Sequence, residues 1–161
     1  MRKSLILAIA VALGACAVSA APQGNSQDGQ AVTVFITPED VAWKDGPPSI
    51  PKGAQVAILD GDPKKDGIFA MRLKLPAGYK IPPHFHPVDE RLTVVSGTFN
   101  VAQGDSFDAS KAKALKAGSF MKIPPKTAHF AFVKEETVVQ LNSMGPWDLT
   151  YVNAADDPRK K

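Results

Sequence analysis

Two of the chain's three histidines, His84 and His86, stand one residue apart in the run "PPHFHPVDER", and Glu90 follows four positions after His86. A neutral imidazole offers a nitrogen lone pair at physiological pH, which makes histidine a preferred metal ligand. In an extended segment residues i and i+2 face the same side, so the two rings would project into one space. Pro82, Pro83 and Pro87 favour extended backbone and disfavour helix around them. Glu90 could fold back across a turn to the same space. The third histidine, His129, lies in "TAHFAFV", where alternation puts Thr127, His129 and Ala131 on one face and Ala128, Phe130 and Phe132 on the other. If all four side chains converge, their nitrogens and carboxylate make a mixed site suited to one divalent first-row metal. Iron, manganese, nickel, copper and zinc are not distinguished by such a set. An octahedral ion with four protein donors keeps two open positions, which water, substrate or dioxygen chemistry requires. The plainer reading is a group of solvated or incidentally buried polar residues.

The elements that would carry these residues are short and β-like. "VTVFIT" (Val32–Thr37) is rich in branched and aromatic residues, and "QVAIL" (Gln55–Leu59) follows the turn-prone "GPPSIPKG". "FAMRLKL" alternates, with Phe69, Met71, Leu73 and Leu75 on one face and Arg72 and Lys74 on the other. That pattern predicts a half-buried strand. Further β-type runs are "RLTVVSGTFNVA", "GSFMKIP", "TAHFAFV", "TVVQLNSM" and "LTYVN". Only "SFDASKAKALKAG" (Ser106–Gly118) has helical composition, which predicts a short helix or irregular excursion near residues 106–116. Many short strands separated by turn signals argue for an all-β sandwich or barrel and against βαβ units.

With those elements in place, the chain resembles the cupins. "GYKIPPHFHPVDERLTVVSG" follows the first cupin signature, with Gly78, His84, His86, Glu90 and Gly97 in register. "GSFMKIPPKTAHFAFV" follows the second, through Gly118, Pro124 and His129. Lys126 stands where that family usually has glycine, and Val133 where it often has asparagine. The resemblance spans roughly residues 53–144. It implies an antiparallel jelly-roll β-barrel with His84, His86, Glu90 and His129 as ligands of an internal metal. By the same analogy it implies dioxygenase chemistry on a small organic molecule, with isomerase or lyase chemistry second. A non-catalytic metal-, sugar- or small-ligand-binding protein is the alternative. Beyond the metal, Glu90 is the one candidate proton acceptor.

Other residues are candidates for the pocket. Met71 and Phe99 suit either core or pocket lining, and Tyr79 could reach the barrel mouth. Gln140 and Asn142 could hydrogen-bond a ligand or form an outward polar face. Trp43 and Trp147 are expected over barrel edges or in a homodimer interface. Phe85 and Phe130, alternating with the ligands, are expected in the outer layer.

Composition sets the frame. The chain has 161 residues, enough for one domain, expected over residues 32–153, with a polar tail at 154–161. Its net charge of +3 owes much to Arg2 and Lys3, so nucleic acid is not an expected partner. Residues 1–20, "MRKSLILAIAVALGACAVSA", read as an export signal with cleavage after Ala20. "LGAC" offers a second route, a bacterial lipobox in which Cys16 would carry a lipid anchor to the membrane. Residues 21–31 read as a flexible lead-in. Either route predicts a domain outside the cytoplasm, periplasmic, secreted or tethered to the cell envelope. Cys16 is the chain's only cysteine, so no intrachain disulfide and no thiol nucleophile serve the domain.

Overall fold

Prolines and glycines cut the chain into eleven strands, which the computed structural model describes within residues 33–161. The expected leader, the Cys16 lipobox and the lead-in lie outside the described residues. In chain order the strands are β1 Lys44–Asp45, β2 Gln55–Asp60, β3 Gly67–Leu75, β4 Lys80–Phe85, β5 Glu90–Ser96 and β6 Thr98–Gln103. β7 Lys113–Lys116, β8 Phe120–Ile123, β9 His129–Val133, β10 Thr137–Gly145 and β11 Thr150–Tyr151 complete the set. They form two antiparallel sheets, a six-stranded one ordered β1-β2-β3-β10-β5-β8 and a five-stranded one ordered β11-β4-β9-β6-β7. The all-β jelly roll is therefore present, built as two facing sheets and not as one closed barrel.

Alternation decides which faces meet. In β10, Thr137, Val139, Leu141 and Ser143 are buried while Asn142 and Met144 are exposed. β3 pairs along its full length with β10 and sends Phe69, Met71 and Leu75 into the same core. Leu92 and Val94 of β5 join them, and Ile81, Phe99, Ala131 and Val133 come from the other sheet. Each large side chain fully buried in this way contributes about 1.5–3 kcal/mol. The chain passes from β5 in one sheet to β6 in the other at Gly97, whose φ of 74° is left-handed and whose Cβ would collide with Thr137, so glycine is required there.

Two expectations are corrected. The short excursion expected near residues 106–116 has its helical turn, the 3-10 turn Ala109–Lys111, but the residues after it form strand β7. Alanine and lysine favour helix weakly, but pairing with β6 and burial of Leu115 outweigh that preference. No strand forms over residues 33–37, where Val34 and Phe35 are exposed and find no partner strand. The tail at 154–161 makes two 3-10 turns, Ala154–Asp156 and Pro158–Lys160, within the compact unit Phe35–Lys161.

Candidate metal centre

A bulge at two prolines aims the first histidine. On β4, Ile81 lies opposite Ala131 of β9, and His84 lies opposite His129. β4 thus uses three steps where β9 uses two, and the extra residue falls in Pro82–Pro83. Proline cannot donate to the ladder, so a bulge accommodates it, and the shift turns His84 to the buried side. His84 and His129 then face each other across the strand pair, ring centroids 4.2 Å apart. His86 follows just past the end of β4.

Glu90 reaches the same space by a route the sequence spacing did not reveal. Between Phe85 and Glu90 the chain crosses from the five-stranded to the six-stranded sheet, so the carboxylate approaches the imidazoles from the opposite wall. Next to it, the Ser143 hydroxyl donates to the Asp89 carbonyl, while the Asp89 carboxylate is gripped outside by Arg91 at 3.1 Å and Lys122 at 3.2 Å. All four side chains are buried, with exposures of 3% for His84, 4% for His86, 6% for Glu90 and 1% for His129.

The ring nitrogens are sorted by their partners. Nδ1 of His84 donates to the Pro82 carbonyl (2.7 Å), Nδ1 of His86 to the Asp148 carbonyl (2.8 Å), and Nδ1 of His129 to the Thr127 carbonyl (3.0 Å). A carbonyl only accepts, so each neutral ring carries its proton on Nδ1 and leaves a lone pair on Nε2. One ligand atom from each ring lies within 4.8 Å of the others. Glu90 Oε2 is 3.1 Å from His129 Nε2 and 3.9 Å from His86 Nε2. With every Nδ1–H already committed, these are acceptors facing acceptors. His86 Nε2 and Glu90 Oε2 are buried without any hydrogen-bond partner. Such an arrangement is costly unless a cation stands between the atoms.

The titration behaviour has the same origin. Burial, reinforced by His129 and His86, pushes His84 down to about 3. Burial also lowers His86, although Glu90 opposes it. Burial disfavours ionised Glu90, but the surrounding imidazoles outweigh it and hold the carboxyl below its ordinary value. His129 is raised because the adjacent Glu90 overcomes the effect of burial. The donor set, the fixed tautomers and the orphaned acceptors all fit a divalent metal.

The pocket candidates separate. Met71, Phe99 and Tyr79 lie in the hydrophobic core, and the Tyr79 hydroxyl donates to the Pro51 carbonyl. Gln140 and Asn142 sit on the outer face of β10, the face opposite the buried Val139 and Leu141. There Gln140 accepts from Arg72 Nε (3.0 Å) and donates to Asn142 (3.2 Å), so neither residue lines the interior. Phe130 packs on the outer layer as expected, against Phe107 at 4.7 Å.

Trp147 was expected at an edge, but its indole stacks on the His86 ring at 4.1 Å and 21° and meets Phe69 edge-on. Trp43 does lie outside, under the Lys74 ammonium at 4.4 Å. Trp147 follows Gly145, where a Cβ would overlap the Lys65 carbonyl, and its N–H donates to the Pro63 carbonyl at 2.7 Å. The aromatic in "GPWDLTY", just after a glycine that ends a buried strand, was the available signal. A groove of about 430 Å³ between Asp45 and Pro158 shares no residue with the centre.

Solved structures with this architecture agree on the class. The polyketide cyclase RemF from Streptomyces resistomycificus is 18% identical, with a TM-score of 0.64 over 80% of this chain and 92% of its own. A proposed acetylacetone dioxygenase from Methylibium petroleiphilum PM1 is 18% identical, with a TM-score of 0.61 over 80% of this chain and 87% of its own. An RmlC-like cupin from Shewanella frigidimarina NCIMB 400 is 20% identical, with a TM-score of 0.53 over 68% and 88%. The protein thus has the fold of the cupins. No curated protein matches its sequence significantly. The chain belongs to the family described as domain of unknown function (DUF4437), whose model matches residues 16–150.

Proposed function

We propose that this chain is an exported, metal-dependent cupin acting on a small organic molecule, with dioxygenase-like chemistry as the leading form and isomerase or lyase chemistry second. The observation that carries the reading is the convergence of three Nε2 lone pairs and a carboxylate, two of whose acceptor atoms have no partner. His84, His86, Glu90 and His129 would hold one divalent transition metal. When bound, that ion supplies Lewis-acid or one-electron chemistry to a small ligand beside it.

The protein's own part is positional. The three carbonyls lock the tautomers, the surrounding apolar side chains exclude water, and Glu90 is the group placed to accept a proton. Among the described residues, the remaining buried polar side chains are already bonded: Asn100 to Phe132, Thr137 to Glu135, Ser143 to Asp89 and Asp157 to Arg159. That shortage of free acid–base groups suits a reaction in which the metal does most of the chemistry. It equally supports the second reading, a non-catalytic periplasmic binder of metal or a small ligand. The fold is shared with proteins named for cyclase and dioxygenase activities, so it accommodates the first reading. Export by the leader, anchoring through Cys16 and a homodimeric state belong to the same proposal.

Metal analysis of the purified mature protein, then oxygen uptake against diketones, flavonols and catechols, tests it. Stoichiometric metal with turnover supports the enzyme, and stoichiometric metal without turnover supports the binder. No retained metal after refolding with iron, manganese, nickel, copper and zinc overturns both.

A further inference from the structure

Two histidines of the centre take their Nδ1 partner from the residue two positions before them, His84 from Pro82 and His129 from Thr127. His86 does not. Its partner is the Asp148 carbonyl, on the segment that also lays Trp147 against its ring. What holds that segment determines how well His86 is aimed.

The hold includes the chain's last turn. Arg159 donates through Nη2 to the Leu149 carbonyl (3.0 Å) and through Nη1 to both Asp148 carboxylate oxygens (3.3 and 3.4 Å). Its Nε and Nη2 also pair with the two oxygens of Asp157 (both 2.9 Å). Asp157 is itself buried and accepts from the Arg159 N–H at 3.0 Å. The guanidinium fork is thus fixed on one side and bridges to two consecutive residues on the other, a geometry that arginine offers and lysine does not. An isolated exposed ion pair contributes little. Here the charge pair accompanies a hydrogen bond to the backbone one residue beyond the carbonyl that orients a candidate ligand.

We infer that Arg159 is a positioning residue for the metal centre, acting through Asp148 and Leu149 to hold the His86 ring in its Nε2-ligating orientation. The inference rests on the metal reading above, and partners of this kind typically affect metal affinity by ~10–100-fold.

The test uses the full mature domain with zinc as probe. Zinc affinity is measured by competition with a chromogenic chelator, and the Nδ1–H resonances of the three histidines are followed by NMR with and without zinc. Arg159→Ala is expected to weaken zinc binding by roughly tenfold and to broaden or remove the His86 Nδ1–H signal, while those of His84 and His129 persist. Asp148→Asn keeps the carbonyl but weakens the charge pair, so it is expected to fall between. Arg159→Lys is expected to restore only part of the loss. Lys111→Ala, which removes an unrelated ion pair with Asp108, serves as the control. Unchanged zinc affinity and an intact His86 signal in Arg159→Ala would overturn the inference, as would equal loss of all three signals. If the wild-type protein holds neither zinc nor iron, manganese, nickel or copper, the metal reading fails, and the His86 signal in the metal-free protein still decides the role of Arg159.

Discussion

The strands β4, β5 and β9 and the segment from Pro146 to Lys161 both hold the candidate metal centre, by different means. The strands place His84, Glu90 and His129 through ladder pairing and a buried core. The later segment also sends Leu149 and Tyr151 into that core, but it pairs only through the two-residue strand β11 and otherwise relies on one indole stack and the Arg159 bridge. Segments with little ladder pairing open at lower cost than long-paired core strands. The donor atoms are therefore built into the stable part of the fold, and the orientation of His86 is set by a part that can be adjusted. A relative can retain the ligands and alter the centre by changing the residues after β10.

The largest expected effect breaks the strand side. His129→Ala removes a donor and the partner of Glu90 together, and zinc affinity should fall by a hundredfold or more, beyond the ~10–100-fold typical of outer partners. Isothermal titration checks this, and a full-occupancy site in the variant would show that the ligand was misassigned. Acid comes next. His84 sits at about 3 against an ordinary 6.5, so the unfolded chain takes up that proton first. The stability this group confers above 6.5 should be lost as pH falls toward 3, with His86 acting in the same direction. His129, whose value is raised, runs the other way: its contribution is present at low pH and lost as pH rises. Melting temperatures across this range should therefore drop on the acid side in the metal-free protein, and zinc should move the drop to lower pH.

Trp147→Ala probes the adjustable side. Loss of the stack and of the contact with Phe69 should cost about 2 kcal/mol of stability and roughly tenfold in zinc affinity. If it matches His129→Ala, the contrast between the two regions is wrong. Zinc should also alter the fluorescence of the wild-type protein through Trp147, and a change that survives in Trp147→Ala would assign it to Trp43 instead. Lys126→Gly should have the smallest effect. Lys126 has a φ of 59°, the left-handed conformation glycine adopts freely, and its N–H donates to the His86 carbonyl at 2.8 Å. Glycine keeps that bond, so zinc affinity should be unchanged and stability should shift by less than about 1 kcal/mol, because relief of strain offsets the added freedom of the unfolded chain. A large loss would mean that the lysine side chain itself matters.

The sequence made the strands and the four polar residues of the centre legible, because alternation and residue spacing are local properties. That His84 and His86 share a side followed from their spacing, and the inward aim of His129 from alternation, but the turn of His84 to the buried side depends on the proline bulge in β4, which the sequence did not reveal. Glu90 was found by its position, but its arrival from the opposite sheet depends on a crossing that no local pattern encodes. Gln140 and Asn142 were ambiguous because a polar residue on a strand can serve either face, and only the burial of Val139 and Leu141 assigns it. The contact of Trp147 with His86 spans sixty-one positions, and the reach of Arg159 to Leu149 depends on a tail whose composition reads as solvent-exposed. In the Ser106–Gly118 excursion the short helical turn was legible but strand β7 was not, since pairing with a neighbouring strand overrules the helical composition there.

The order of residues along the chain has a consequence for assembly. All four donor side chains have been added once synthesis reaches His129, yet the carbonyl that fixes the His86 tautomer arrives nineteen residues later, at Asp148. A growing chain that stops between these points has every donor atom and only two oriented imidazoles. Completion of the centre is thus tied to synthesis of the segment after β10, and a fragment ending before Asp148 has the composition of the site without its geometry.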